Sequence, residues 1–317
     1  MRPEATVADG KRGVAVLGIF VADLAFRAGR MPAIGETIAG SGFKLGPGGK
    51  GSNQAVAVAR LGTPVTFISR LGADDFGKIA LATWKKEGVI ARVVETPGQP
   101  TGAAFIYVND LSGENAIIVV PGAAGEITPA DVDAAEDAIR GAAVFITQLE
   151  QPVDAALRGL QIARAAGVVT VFNPAPAEKF DDSLYRLCDY VTPNESEAGQ
   201  LTGIRVTGID QARKAGDALI AKGVGAAVIT LGEAGALLHD KSQSIIIPAF
   251  KAGPVVETAG AGDAFNGGFA AAIARGMSPM EAARFGCAVA GISVTRAGTA
   301  PSMPVLPEVE ALLAAKS

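Results

Sequence analysis

Glu257-Thr258-Ala259-Gly260-Ala261-Gly262-Asp263-Ala264-Phe265-Asn266-Gly267-Gly268 is the stretch on which the reading of this chain turns. An apolar pair, Val255-Val256, precedes it, and a helical run from Phe269 to Arg275 follows, stopped by Gly276. The pattern predicts a strand, a glycine turn and a helix start. Gly260 and Gly262 lack a Cβ, so the backbone there can bend sharply and approach a ligand. The N–H groups of Ala261, Gly262 and Asp263 are expected to point out of the helix start. Unpaired donors and the helix dipole together favour an anion at such a place. Asp263 would repel that anion unless it has a task of its own. A base that takes a proton from an attacking hydroxyl, while the amides hold a phosphoryl group, resolves the conflict. An Asp at a helix start also reads as a plain cap. The density of glycine around one acid argues for function.

Outward from this stretch, strand and helix alternate. Val14 to Leu17 reads as a buried strand. Helices are expected over Asn53–Leu61, Asp75–Glu87, Pro152–Ala166 and Gln211–Lys222. Strands are expected at Val65–Ser69, Ala143–Thr147, Val168–Phe172, Tyr190–Thr192 and Ala226–Thr230. Ala236–Leu238 with Ile245–Ile247 reads as a hairpin. Thr128-Pro129-Ala130-Asp131 and Ser278-Pro279-Met280-Glu281 are helix starts with a cap residue and Pro at the first position. The alternation predicts an α/β fold: a doubly wound, mostly parallel sheet with helices on both faces. Two patches break it. Phe20 to Pro47 is rich in turn formers, and Ala103–Val108 with Ala116–Val120 is a hairpin pattern. They predict a small β-sheet lid over about 20–47 and 99–121. The organisation expected is a loose tail at 1–13 and one domain at 14–317.

Bulk properties exclude several classes. The 317 residues carry 28 Lys and Arg against 32 Asp and Glu, a net charge of −4, and no basic run. A nucleic-acid partner is not expected. The two cysteines, Cys188 and Cys287, form no CxxC, so neither a disulfide framework nor a zinc site is indicated. Met1 to Gly13 lacks the apolar core of a signal peptide, and no apolar run reaches the ~18 residues of a membrane span. A cytoplasmic protein with no membrane partner is expected.

Ligands in open α/β sheets sit at the carboxyl ends of the strands. The polar residues expected there are Asp23, Glu150, Asn173, Asn194, Glu197 and Thr230. Each also reads as a loop or cap residue, and Asn194 with Glu197 fits a capping box. A second glycine cluster, Gly46-Pro47-Gly48-Gly49-Lys50-Gly51-Ser52-Asn53, joins the lid to a helix. It fails the P-loop pattern, because Lys44 stands where the first glycine belongs and Gly51 follows the lysine. The fingerprint of dinucleotide oxidoreductases is also missing. Backbone and Asn53 reaching a polyol, with Lys50 on a hydroxyl or phosphate, is the better reading.

Gly48-Gly49-Lys50-Gly51 with Asn53, and Thr258 to Asp263, resemble the two signatures of the ribokinase family of carbohydrate kinases, the phosphofructokinase-B type. Val191 to Glu197, Asn173 to Pro176, Thr230-Leu231-Gly232 and Val294 to Gly298 are similar as well. The resemblance runs from about Val14 to Pro304. It implies an ATP-dependent sugar kinase of the ribokinase-like fold, with ribose as the foremost substrate. Fructokinase-like and nucleoside kinases, and a non-catalytic binding regulator on the same fold, are the other readings. By resemblance, Asp263 is the base and the amides of Ala261 and Gly262 form the anion hole. Asp23, Gly48, Gly49, Lys50, Gly51, Asn53 and Glu150 hold the sugar. Asn194, Glu197, Thr230, Leu231, Gly232, Glu233, Ala234, Gly235, Gly262 and Cys287 attend the nucleotide and its Mg²⁺. Glu257, Ala259, Ser293, Arg296, Gly298 and Ser302 match a site for a monovalent cation, usually K⁺. Lids of this family commonly pair into a homodimer. The chain departs from the pattern at Glu257, where Asp is usual, at Val21, where an Asn helps bind ribose, and at Cys287, where a His can flank adenine. His239 matches no catalytic position.

Overall fold

The computed structural model describes residues 10–315. The first half of the chain runs β1 (Val14–Leu17), β2 (Val21–Ala28), β3 (Gly42–Gly48), α1 (Lys50–Arg60), β4 (Val65–Gly72), α2 (Asp75–Glu87), β5 (Ile90–Thr96), β6 (Thr101–Asn109), β7 (Asn115–Gly122), α3 (Pro129–Asp133), α4 (Glu136–Gly141) and β8 (Val144–Thr147). The second half runs α5 (Val153–Ala165), β9 (Val169–Phe172), β10 (Tyr190–Val191), α6 (Glu195–Thr202), α7 (Ile209–Ala221), β11 (Ala226–Thr230), β12 (Ala236–His239), β13 (Ser244–Ile247), α8 (Ala261–Ala274), α9 (Pro279–Ser293) and α10 (Leu306–Ala314).

Nine strands form one sheet in the order β13-β12-β11-β10-β9-β8-β1-β4-β5. All pairs from β11 to β5 are parallel, and β12 and β13 add an antiparallel edge. The central strands β1, β8 and β9 read VAVL, VFIT and VTVF and are buried along their whole length. Such runs belong in a parallel sheet covered on both faces. One face carries α1, α2, α8 and α9 over a core that includes Phe67, Trp84 and Phe269. The other carries α3 to α7 over Phe145, Leu160 and Leu219. Helix α8 is buried from Asp263 to Ile273, as its alanine- and glycine-rich sequence allows. Thr128 and Ser278 form capping boxes, each followed by Pro, as the sequence predicts.

The two turn-rich patches pair into a second, four-stranded sheet, β3-β2-β6-β7. Its register aligns Leu45, Leu24, Phe105 and Ile118 in one cross-sheet row. The neighbouring residues Asp23, Gly46, Ala104 and Val119 therefore share the opposite face, because side chains alternate along a strand.

Two expectations change. Val255-Val256 forms no strand: the amides of Val256 and Glu257 both donate to the Val294 carbonyl at the end of α9, and both valines are exposed. The helix start expected after the glycine turn is found at Ala261. Strand β5, absent from the reading, is an edge strand whose charged and half-exposed residues mask any apolar run. The expected tail lies outside the described residues over 1–9. Its end is fixed, since Lys11 Nζ donates to the carbonyls of Arg140 (3.0 Å) and Ala166 (2.6 Å). No helix among the described residues is long and apolar enough to cross a membrane.

Candidate active site

The two glycine motifs meet because α1 and α8 pack directly together. A Cβ on Gly267 would lie 2.5 Å from Ala57 Cβ and 2.8 Å from the Gln54 carbonyl oxygen. Only glycine lets the helices come this close. Across that contact Asn53 Nδ2 donates to Asp263 Oδ2 (2.9 Å) and Gln54 Nε2 donates to Asp263 Oδ1 (3.1 Å). Asp263 is 7% exposed. Burial raises its pKa above the usual carboxylate value, while Lys50, Asn53 and Gln54 act to lower it.

Lys50 opens α1 directly after the lid strand β3, and its backbone N–H donates to Glu150 Oε2 (2.7 Å). Glu150 follows β8 on the central sheet. Burial pushes its pKa up to about 7; Lys50 opposes the shift, and the charges of Asp263 and Asp23 add to it. Asp23, on the inner face of the lid sheet, is pushed up to about 6 by burial, with Asp263 and Glu257 adding to the effect. Its carboxylate lies against the bare α-carbon of Gly48, where a Cβ would meet Asp23 Oδ1 at 2.2 Å. For Lys50, burial works against the charge, but Asp263, Glu150 and Glu197 outweigh it and raise its pKa. Three carboxylates and one ammonium thus interact in one buried place, with donors and acceptors suited to a polyol.

Beside this cluster opens a cleft of about 1250 Å³. Thr258, Ala261 and Gly262 of the α8 start lie on its wall, and Phe250, Phe265, Ala290 and Val294 give it an apolar portion. Of the residues expected at a nucleotide, Asn194, Thr230, Gly232, Glu233, Gly235, Gly262 and Cys287 line it. Glu197, Leu231 and Ala234 do not. Leu231 is turned into the core, and the Glu197 carboxylate accepts from the Asn194 N–H (2.8 Å) in a capping box. Cys287 is buried, which pushes its thiol up to about 12 and keeps it neutral. The Ala261 amide is not free as expected: it donates to the Thr258 carbonyl (3.1 Å), closing the turn. Gly262 and Asp263 follow in the first helical turn, where amides have no intrahelical partner.

Glu257 and Gly298, both expected at a cation, are joined: Gly298 N donates to Glu257 Oε2 (2.8 Å). The hydroxyls of Ser293 and Ser302 donate to the carbonyls of Ala290 and Thr299, and the Arg296 guanidinium pairs with Glu308. Ala259 lies in the turn between Glu257 and the start of α8. His239 bonds to Ser244 and Asp217 on the edge of the main sheet. Among the described residues there is no His, Cys, Asp and Glu cluster able to hold a metal.

Two contributors escape sequence reading. Gln54 sits next to Asn53, and its amide gives no sign in sequence that it faces Asp263. Thr299 follows the similar Val294–Gly298 segment. Its hydroxyl lies 3.1 Å from the Pro47 carbonyl and 3.5 Å from Asp23 Oδ2, linking the C-terminal loop to lid strands β3 and β2.

Residues 11–306 match the pfkB family of carbohydrate kinases. The chain is 40% identical to a ribokinase of Haemophilus influenzae over 299 residues, covering 94% of this chain and 97% of that one. It is 35% identical to a deoxyribokinase of Salmonella typhi over 293 residues, covering 92% and 95%. The structure of Arabidopsis thaliana ribokinase complexed with ribose and ATP superposes with a TM-score of 0.89 at 31% identity, over 96% of this chain and 99% of that one.

Proposed function

The chain belongs to the pfkB family of carbohydrate kinases, and from that premise we propose that it transfers the γ-phosphoryl group of MgATP to a primary hydroxyl of ribose, giving ribose 5-phosphate. The observation that carries this reading is the place of Asp263. It is buried, tied to α1 through Asn53 and Gln54, coupled to the Asp23 and Glu150 charges, and next to Gly262 on the cleft wall.

In this reading the sugar lies between lid and body, held by Asp23, Lys50, Asn53, Glu150 and the backbone of Gly48 to Gly51. ATP occupies the cleft between the Asn194 and Thr230–Gly235 segments on one side and α8 and α9 on the other. Asp263 accepts the proton of the sugar hydroxyl as its oxygen attacks the γ-phosphorus. The bond to the β–γ bridging oxygen breaks, and ADP leaves. The raised pKa of Asp263 suits a base, since proton acceptance is most effective near the working pH. The first-turn amides of α8, Gly262 foremost, and the Lys50 charge stabilise the negative charge that develops on the phosphoryl oxygens. The lid excludes water that would otherwise take the phosphoryl group.

Magnesium, bound with ATP as part of the substrate, would neutralise phosphate charge; Asn194, on the cleft wall, would face its water shell, with Glu197 behind it holding Asn194 through the capping box. A monovalent cation, K⁺, would be held by Glu257, Ala259, Ser293, Arg296, Gly298 and Ser302, a reading supported by the contact between Glu257 and Gly298 and by the suitability of oxygen donors for such an ion. The lid's exposed apolar face supports a homodimer.

One observation favours a second sugar. Val21 is 3% exposed and shares the inner lid face with Asp23, two residues apart on β2. Its isopropyl group offers no partner to a hydroxyl, which favours a 2-deoxypentose. The test is product formation from MgATP and K⁺ across ribose, 2-deoxyribose, fructose and nucleosides. Ribose is expected to give the highest kcat/KM. A larger value with 2-deoxyribose selects the second sugar, and no transfer to any acceptor overturns the reading.

A further inference from the structure

We propose that Gln54 is the positioning residue of the base, holding Asp263 in its reactive orientation and ionised form; the inference rests on the kinase reading above. Gln54 is fully buried. Its Nε2 donates to Asp263 Oδ1 (3.1 Å) and to Asn173 Oδ1 (3.1 Å), and its Oε1 accepts from Gln148 Nε2 (2.6 Å). Asn173 is itself fixed, its Nδ2 donating to the Thr192 carbonyl (3.0 Å). Gln148, Asn173 and Thr192 follow β8, β9 and β10 in turn. The ends of three neighbouring strands therefore set the plane of one amide, and that amide meets the carboxylate on α8.

The hydrogen-bond chemistry allows one orientation of Gln54. Reversing its amide would set Oε1 against the Asp263 carboxylate and Asn173 Oδ1, and would set Nε2 against a donor. Asn53 and Gln54 divide the carboxylate, one oxygen each. Asn53 stands where the sugar binds, whereas Gln54 lies behind Asp263 and acts on substrate only through it. Both amides favour the charged carboxylate, which burial disfavours. The charged groups facing Asp263 are Lys50 from α1, Glu150 after β8, Glu197 from α6 and Asp23 from β2. Lys50 favours the ionised form of Asp263, and the Asp263 charge in turn raises the pKa of the three acids. Gln54 thus supplies neutral donors in a site where burial would otherwise drive Asp263 toward protonation.

The test replaces Gln54 by Met, which keeps the length of the side chain and removes its polar atoms. In Gln54→Met, kcat at neutral pH should fall about tenfold or more, with the KM for sugar and for ATP within about twofold of wild type. The acid limb of kcat should move to higher pH by about one unit, the size of one lost hydrogen bond to an ionised group. Gln148→Met, one step back in the chain of amides, should move the same limb less, and the double variant should add little to Gln54→Met. Wild-type kcat and pH profile in Gln54→Met overturn the inference. So does a KM rise matching the kcat loss. If Gln54→Met fails to fold, a Gln148→Met protein with normal melting and an unmoved acid limb overturns it in the same way. Wild-type turnover in the same assay separates the two claims: its absence sinks the kinase reading, whereas its presence with an indifferent Gln54 sinks this inference alone.

Discussion

Asp263 shows how a single residue draws its chemistry from its surroundings. On a surface it would be an ordinary cap. Here burial raises its pKa, two amides and an ammonium restrain that rise, and the result is a carboxylate able to take and release a proton. Asp263→Asn keeps the shape and removes the base. Turnover should fall about 10²- to 10⁴-fold, while ATP binding measured by calorimetry stays near wild type. Full turnover in that variant would remove Asp263 from the role. Glu150 gives a pH prediction. Its native pKa of about 7 lies above the ordinary carboxylate value of 4.5, so the folded state holds its proton more tightly than the unfolded chain. Stability from this group is fully present below pH ~4.5 and is lost as pH rises toward 7. Asp23 acts in the same sense, up to about 6. The ligand-free protein should melt at a lower temperature at pH 8 than its other groups alone would give. Glu150→Gln should narrow the gap in melting temperature between pH 5 and pH 8. An unchanged gap would show that Glu150 ionises freely in the native state.

At the scale of elements, the site is a consequence of how α1 meets α8. Each helix begins at a glycine motif, and each brings one half of the polar centre: Lys50, Asn53 and Gln54 on α1, Asp263 on α8. Gly267 sets their separation, because any side chain there meets Ala57 and the Gln54 carbonyl. Gly267→Ala should destabilise the protein by about 1–3 kcal/mol, as overpacking of a close helix contact does. It should also lower kcat more than it raises either KM, since it spreads Asn53 and Gln54 from Asp263. Denaturant melts and steady-state kinetics read the two effects. A variant as stable and as active as wild type would mean that the contact relaxes without cost. The lid strands are placed by β2, which leaves the main sheet after β1 and carries Asp23 to the site within six residues of Leu17.

For the whole molecule, the second sheet leaves an apolar face in water. Phe43 is 58% and Ile118 63% exposed, and they share that face with Phe26, Leu45 and Val120. Exposed patches of this kind mark interaction surfaces. If two copies join through it, Ile118→Glu should convert a dimer to a monomer in sedimentation velocity. It should also weaken sugar binding, because the same sheet holds Asp23 on its other face. A wild-type protein that sediments as a monomer at micromolar concentration removes the proposal.

The alternation of apolar runs with amphipathic helices was enough to settle the layered α/β architecture, because strand and helix periods and capping residues are local properties of the chain. The two glycine motifs pointed to Asp263, Lys50 and Asn53 for the same reason: a turn that only glycine permits is visible in sequence. What the sequence could not hold was distance. Gln54 looks like any helical glutamine until α8 lies against α1 and β8 and β9 lie beneath it. Thr299 is a loop hydroxyl until the lid folds over it. The Ala261 amide looks free until the turn closes on Thr258. Val255-Val256 carries strand-forming residues, yet its backbone finds partners at the end of α9 and not in a sheet. Local periodicity chose the elements. The hydrogen bonds and burial that assemble the site join residues as far as 276 positions apart, and only the tertiary structure could decide them.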